Sequence, residues 1–230
     1  NFLRGIMMGI LNPIAANFNV PTGTTQLVYS CPVGKSHAIL DLTFYRDNIA
    51  IDALVQVGIS TAPAASLTSI DFFLDDLAII LANKNVELTK VVVGSGENLY
   101  IKVLTGNVTV RVTGMEEFNT KVSKGGRLSA GNMPVASTLT KIVSTAVVGV
   151  AYISTSVSLF NTHATLPANV MLYVTNAVTP GINDKIIDTT VLANDTIVVD
   201  NLMLMANESI YVISDQINTE YFSNGFIVLA

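Results

Sequence analysis

Tryptophan is missing altogether from the 230 residues, cysteine occurs once and histidine twice. Charge is nearly as scarce: 13% of the residues are Asp, Glu, Lys or Arg, against about a quarter in an ordinary globular domain. Each shortage excludes something. A lone cysteine, Cys31, cannot close an intrachain disulfide, and it lacks the partners of a structural zinc site. A small buried apolar residue is its simplest role, and the chain does not read as one built for an oxidising compartment. Twelve Lys and Arg against seventeen Asp and Glu leave a net charge of −5, with no basic cluster of the kind that displaces counterions from nucleic acid. A spanning helix needs about 18 consecutive apolar residues, and the longest run here, Ala146 to Ile153, is only strand length. Neither nucleic acid nor membrane is expected as a partner.

What the chain has instead is hydrophobic residues, at 50% of the total. A soluble chain so rich in them and so poor in charge hides much of its exterior against other chains. It also repeats itself. Leu81 to Val103 recurs as Leu192 to Ser214 at a constant offset of 111 positions, which pairs Asn83 with Asn194, Glu97 with Glu208 and Tyr100 with Tyr211. Gly114 and Gly225 keep the same offset, whereas Gly34 and Gly149 stand 115 apart, so the copies differ in length between these points. An internal repeat of this size predicts two units, each long enough for its own core.

Periodicity gives the fold class. Leu40, Leu42 and Phe44 alternate with Asp41, Thr43 and Tyr45, and Val108, Val110 and Val112 alternate with Thr109, Arg111 and Thr113. Strands of this kind recur at near-regular spacing between Gly, Pro and Asn turns, with no alternating helices. Residues 70–81 read as either a short helix or a strand. The expectation is an all-β chain of two tandem antiparallel β-sandwich, jelly-roll-like domains. The boundaries read as an N-terminal arm at 1–19, a first domain at 20–117, a polar, glycine-containing linker at 118–133 and a second domain at 134–230. The arm either completes a core or docks on a neighbouring subunit. In the second case Phe2, Leu3, Ile6, Met7, Ile10 and Leu11 form the partner interface. The start at Asn1 rather than Met fits a processed product. The charge is uneven as well: residues 1–127 balance ten acids with ten bases, and residues 128–230 set seven acids against Lys141 and Lys185 alone.

Catalytic and cofactor motifs are not found. Gly34-Lys35-Ser36 resembles the end of a phosphate-binding loop, but Tyr29 stands where its first glycine belongs. Gly94-Ser95-Gly96 has Leu99 in place of the last glycine of a dinucleotide fingerprint, and it reads as a hairpin turn. His37 and His163 have no nucleophile or metal partners at a recognisable spacing. Asp75 and Asp76, adjacent on a strand, point to opposite faces. Asp184, Asp188, Asp195 and Asp200 lack the order of a calcium loop. Asn107, Asn194 and Asn207 begin N-x-[ST] triplets but read more simply as turn residues. No cofactor, metal or enzymatic activity is expected.

The run Leu27-Val28-Tyr29-Ser30-Cys31-Pro32-Val33-Gly34-Lys35, the strand to Tyr45, the Asp47-Asn48 turn, Asn83 to Val93, and Gly96-Glu97-Asn98-Leu99-Tyr100-Ile101 together resemble a β-sandwich module of tailed-bacteriophage virion accessory proteins. The resemblance covers about Thr22 to Glu117 and, more weakly, Ser137 to Ala230. The second copy departs from the pattern at Thr145 to Gly149, where Cys and Pro are missing. The resemblance implies a non-enzymatic particle component, in capsid decoration, the neck or the tail. Its partners would be copies of itself, with a trimer compatible, and the capsid or tail proteins of the same virion. A receptor- or glycan-binding adhesin of that particle is the alternative.

Overall fold

The computed structural model describes residues 11–46, 52–80, 85–133, 135–145 and 149–230. Eight strands come from the first half of the chain: β1 (Leu11–Val20), β2 (Thr25–Ser30), β3 (His37–Arg46), β4 (Ala53–Ser60), β5 (Phe72–Ile80), β6 (Val86–Gly94), β7 (Asn98–Thr105) and β8 (Val108–Glu117). Eight more follow: β9 (Val122–Asn132), β10 (Thr140–Ser144), β11 (Val150–Asn161), β12 (Ala168–Thr175), β13 (Lys185–Val191), β14 (Asp195–Met205), β15 (Ser209–Ser214) and β16 (Thr219–Leu229). They form four antiparallel sheets. The first half gives β1-β8-β3-β6 and β2-β7-β4-β5; the second gives β9-β16-β11-β14 and β10-β15-β12-β13. The second pair repeats the first strand for strand. Each half is an eight-stranded jelly roll, the double-sheet architecture that tucks most strand edges away.

The inward positions are those that alternation selects. Leu40, Leu42 and Phe44 from β3, Val108, Val110 and Val112 from β8, and Val55, Val57 and Ile59 from β4 are fully buried in the first roll. Ile153, Val157, Leu159, Val170, Leu172, Ile210 and Val212 do the same in the second. Each such side chain contributes about 1.5–3 kcal/mol when removed from water.

The recurring sequence has a structural cause. Glu97 reaches back to accept from the Gly94 N–H at 2.9 Å, and Glu208 accepts from the Met205 N–H at 2.7 Å, so the same carboxylate locks the β6–β7 and β14–β15 turns. Gly114 and Gly225 recur because a Cβ would lie 2.1 Å from the Ile39 carbonyl oxygen in one roll and 2.0 Å from that of Ser154 in the other. Both rolls also carry a bulge at one place. Register shifts between Leu40 and Leu42 and between Thr155 and Val157, and the extra residues opposite, Lys90 and Asn201, take φ of 60° and 58°.

One expectation needs revision, and two open readings are narrowed. Of the stretch read as an arm that either completes a core or docks on a neighbour, Leu11–Val20 forms β1, paired with β8 from Leu11↔Glu117 to Val20↔Val108. Its alternation explains this, since Val20 is buried and Ile14 and Phe18 pack on the first core while Asn12, Asn17 and Asn19 stay exposed. The stretch read as a linker contains β9, which pairs with β16 as β1 pairs with β8. Its glycines serve a close contact described below, not flexibility. Of the stretch read as helix or strand, the described part holds the end of a 3-10 turn (Ser69–Asp71) followed by β5 (Phe72–Ile80), so the strand reading wins there over the helical one.

Candidate assembly surfaces

The side of the first roll formed by edge strands β5 and β6 abuts the outer face of the second roll's β9-β16-β11-β14 sheet. This joint is built from alternate residues of β16. Tyr221 and Ile227 pack on their own core, which leaves Phe222, Asn224 and Phe226 on the outer face. Phe222 is 3% exposed and belongs to the first roll's core, not its own. Asn224 accepts from the Val92 N–H at 2.8 Å and donates to the Val92 carbonyl at 2.6 Å. Its amide therefore pairs the Val92 N–H and carbonyl at the free edge of β6 as a partner strand would. Phe226 stacks on His37, with ring centroids 5.3 Å apart.

Beside these side chains the two backbones meet directly. A Cβ on Gly94 would lie 2.0 Å from the Gly125 carbonyl oxygen, and one on Gly125 would lie 2.5 Å from the His37 Cβ. Only glycine fits so close an approach. Next to it the Arg127 N–H donates to the Glu97 carboxylate at 3.1 Å, and Arg127 Nη1 donates to Asp71 Oδ1 at 2.6 Å. Burial works against the charge of Asp71, but donors from Thr68, Ser60 and Arg127 outweigh it and hold the carboxyl below its ordinary range. Burial pushes the Glu97 carboxyl up, partly opposed by its Gly94 and Arg127 hydrogen bonds. Burial pushes His37 down, with Glu117 Oε2 at 3.3 Å pulling the other way.

Above the joint the outer faces diverge around a cleft of about 320 Å³ bordered by Thr89, Lys90, Asp200 and Asn201. Lys90 Nζ donates to Asn201 Oδ1 across it at 3.0 Å, so the two bulge residues, equivalent in the repeat, touch. On the second roll, β14 touches the first roll through β5 and Asn201, while the Met203–Met205 end of β14 and β13 beside it stay exposed. Val198, Met203 and Met205 on β14 and Ile186 on β13 are 43%, 60%, 56% and 51% exposed.

Of the interface residues expected from sequence, Phe2, Leu3, Ile6, Met7 and Ile10 lie outside the described residues, as does the side chain of Leu11, whose backbone opens β1. The side chains of Asp75 and Asp76 lie outside them too. His163 organises a loop, its Nδ1 accepting from the Thr165 and Leu166 N–H groups. The four aspartates do not converge: Asp184 caps the Gly181 N–H, Asp188 pairs with Lys185, and no metal-binding cluster occurs among the described residues. Asn194 and Asn207 sit in turns at positive φ. Cys31 is buried, and burial pushes its thiol up to about 11, which keeps it unreactive. Sequence reading missed the joint, although its signal was present in Phe222-x-Asn224-x-Phe226, large residues on the face opposite to the core.

No protein-family model and no curated protein sequence matches the chain. Among solved structures, the chain is similar to one from Sulfolobus turreted icosahedral virus at 11% identity and TM-score 0.36, over 96% of this chain and 91% of that one. A chain of the cowpea mosaic virus top component gives 7% and 0.33, over 94% and 88%. The tandem CBM22 domain of a Paenibacillus barcinonensis protein gives 8% and 0.30, over 96% and 91%. Overlap this loose carries no weight for function.

Proposed function

We propose that the chain is a non-enzymatic structural protein of a virion, acting through contacts with its own copies and with neighbouring shell or tail subunits. The observation that carries this reading is the pair of equivalent jelly rolls locked edge to face in one chain, with apolar Met203 and Met205 left exposed on the second roll's matching edge. Jelly rolls serve as capsid, lectin and cupin domains. A lectin or cupin role would want clustered exposed aromatics or a histidine cage, and the described residues offer neither. Low charge and the sequence resemblance to tailed-phage virion modules support the same reading, and capsid decoration, neck or tail are its finer forms. A trimer is the compatible oligomer for two similar units in one chain.

Mass spectrometry of purified particles, joined to sedimentation of the recombinant chain, tests this. The chain should be found in the particles and should self-associate when isolated. A protein absent from particles and monomeric at every concentration would overturn the proposal.

A further inference from the structure

The joint inside the chain is mainly heterologous, since apart from the Lys90–Asn201 hydrogen bond the side of one roll meets the face of the next. A tandem built this way leaves one of each surface unused. Among the described residues, the second roll keeps the exposed Met203–Met205 end of its β13–β14 side, and the first roll keeps the part of its β1-β8 outer face around Arg111 and Met115. We propose that these two surfaces bind each other between copies, so that a second copy of this chain covers the open side of β14. The proposal rests on the self-association reading above and specifies its surface.

The internal joint supplies the residue map. Val92 and Gly94 are buried by the second roll; their equivalents at the offset of 111, Met203 and Met205, are 60% and 56% exposed. Nothing else in the two strands separates them so sharply, because Val93 and Leu204 face their own cores in both rolls and are fully buried. On the receiving face, Phe222, Asn224 and Phe226 map to Arg111, Thr113 and Met115. Arg111 is exposed and Met115 is 49% exposed, whereas Val110 and Val112 between them are fully buried. Alongside, Pro13 occupies the position of Gly125, because Pro13 pairs with Met115 as Gly125 pairs with Phe226.

The two contacts differ in kind. Within the chain, Gly94 against Gly125 lets backbones touch. Between chains, Met205 would meet Pro13, so side chains separate the backbones, and flexible methionines suit a surface that must assemble and adjust. Thr113 in place of Asn224 cannot clamp a strand edge with paired donor and acceptor, so the contact between copies is the weaker of the two. Heterologous contacts close into a ring or run on as an open array, and either places Met203 of one copy beside Thr113 of the next.

Mixing separates this arrangement from any other. Full-length Met203→Cys and Thr113→Cys chains are prepared separately, combined, and treated with a short bis-maleimide; the unsubstituted protein, carrying only buried Cys31, is the control. The proposal expects 203–113 linked dimers in the mixture, identified by peptide mass spectrometry, and at least tenfold less dimer from either variant alone. Multimers that form without the 203–113 link would overturn the assigned surface while leaving self-association intact. A chain that stays monomeric at all concentrations would overturn both.

Discussion

Strands β6 and β14 occupy the same place in two rolls of the same topology, yet the Val92–Gly94 end of one is covered and the matching Met203–Met205 end of the other is exposed. Their inward residues are interchangeable in role, as Val91 and Val93 against Leu202 and Leu204 show. Their outward residues are not. Val92 and Gly94 are small and lie beneath the second roll, whereas Met203 and Met205 are large and half or more exposed. The difference locates what this chain adds to two plain jelly rolls. One surface has been fitted to a fixed neighbour at backbone distance, and its twin keeps long, adaptable side chains.

Substitutions at equivalent positions should therefore give unequal results, and the contrast is measured by denaturant unfolding of paired variants. The largest gap is expected at Phe222. Removing this ring empties part of the first roll's core and should cost about 3–5 kcal/mol, whereas Arg111→Ala at the matching exposed site should stay within about 0.5 kcal/mol. Equal losses would dissolve the distinction between the faces. Gly94→Val comes next, at about 3 kcal/mol from overpacking against Gly125, while Met205→Val should leave the monomer's stability almost unchanged. Asn224→Ala strands the Val92 N–H and carbonyl without partners in a buried place, a loss of about 2 kcal/mol; a cost near zero would mean that the amide clamp is ornamental.

The smallest effect is a pH dependence at the joint. His37 is held neutral by burial, so its folded-state pKa lies below its unfolded value of about 6.5. The unfolded chain then binds the extra proton first, and stability should fall as pH drops below about 6.5 until His37 is protonated in the fold as well. Glu97 has the opposite sign. Its pKa is raised, so its share of stability is complete below the ordinary glutamate range and is lost as pH rises through the raised value. His37→Phe should keep the stack on Phe226 and remove the first dependence only. An unchanged profile between pH 7 and 5 in that variant would show that His37 does not report on the joint.

Much of the fold could be read from residues alone, because a two-residue period and a 111-residue offset both survive in the sequence. Val108, Val110 and Val112 were placed inside by alternation, and the turn at Gly94-Ser95-Gly96 by composition. What escaped were a strand whose chemistry answers to the other roll and the full extent of a strand paired far along the chain. β9 reads as a linker because Gly125, Gly126 and Arg127 are chosen for contact with Gly94, Glu97 and Asp71, not for a core. β1 reads as an arm because its pairing partner lies about a hundred residues away. The joint itself is a relation between two distant surfaces, and Phe222-x-Asn224-x-Phe226 marks one of them without naming the other. Phe222 looked like one more core aromatic, and only its membership in the neighbouring roll's core identifies it.

Sedimentation velocity of the unsubstituted chain beside the Met203→Asp/Met205→Asp double variant tests the account most directly. The unsubstituted chain should sediment as a multimer and the double variant as a folded monomer of 24.5 kDa, with the circular dichroism of the two unchanged. A double variant that still assembles, or an unsubstituted chain that never does, would contradict it.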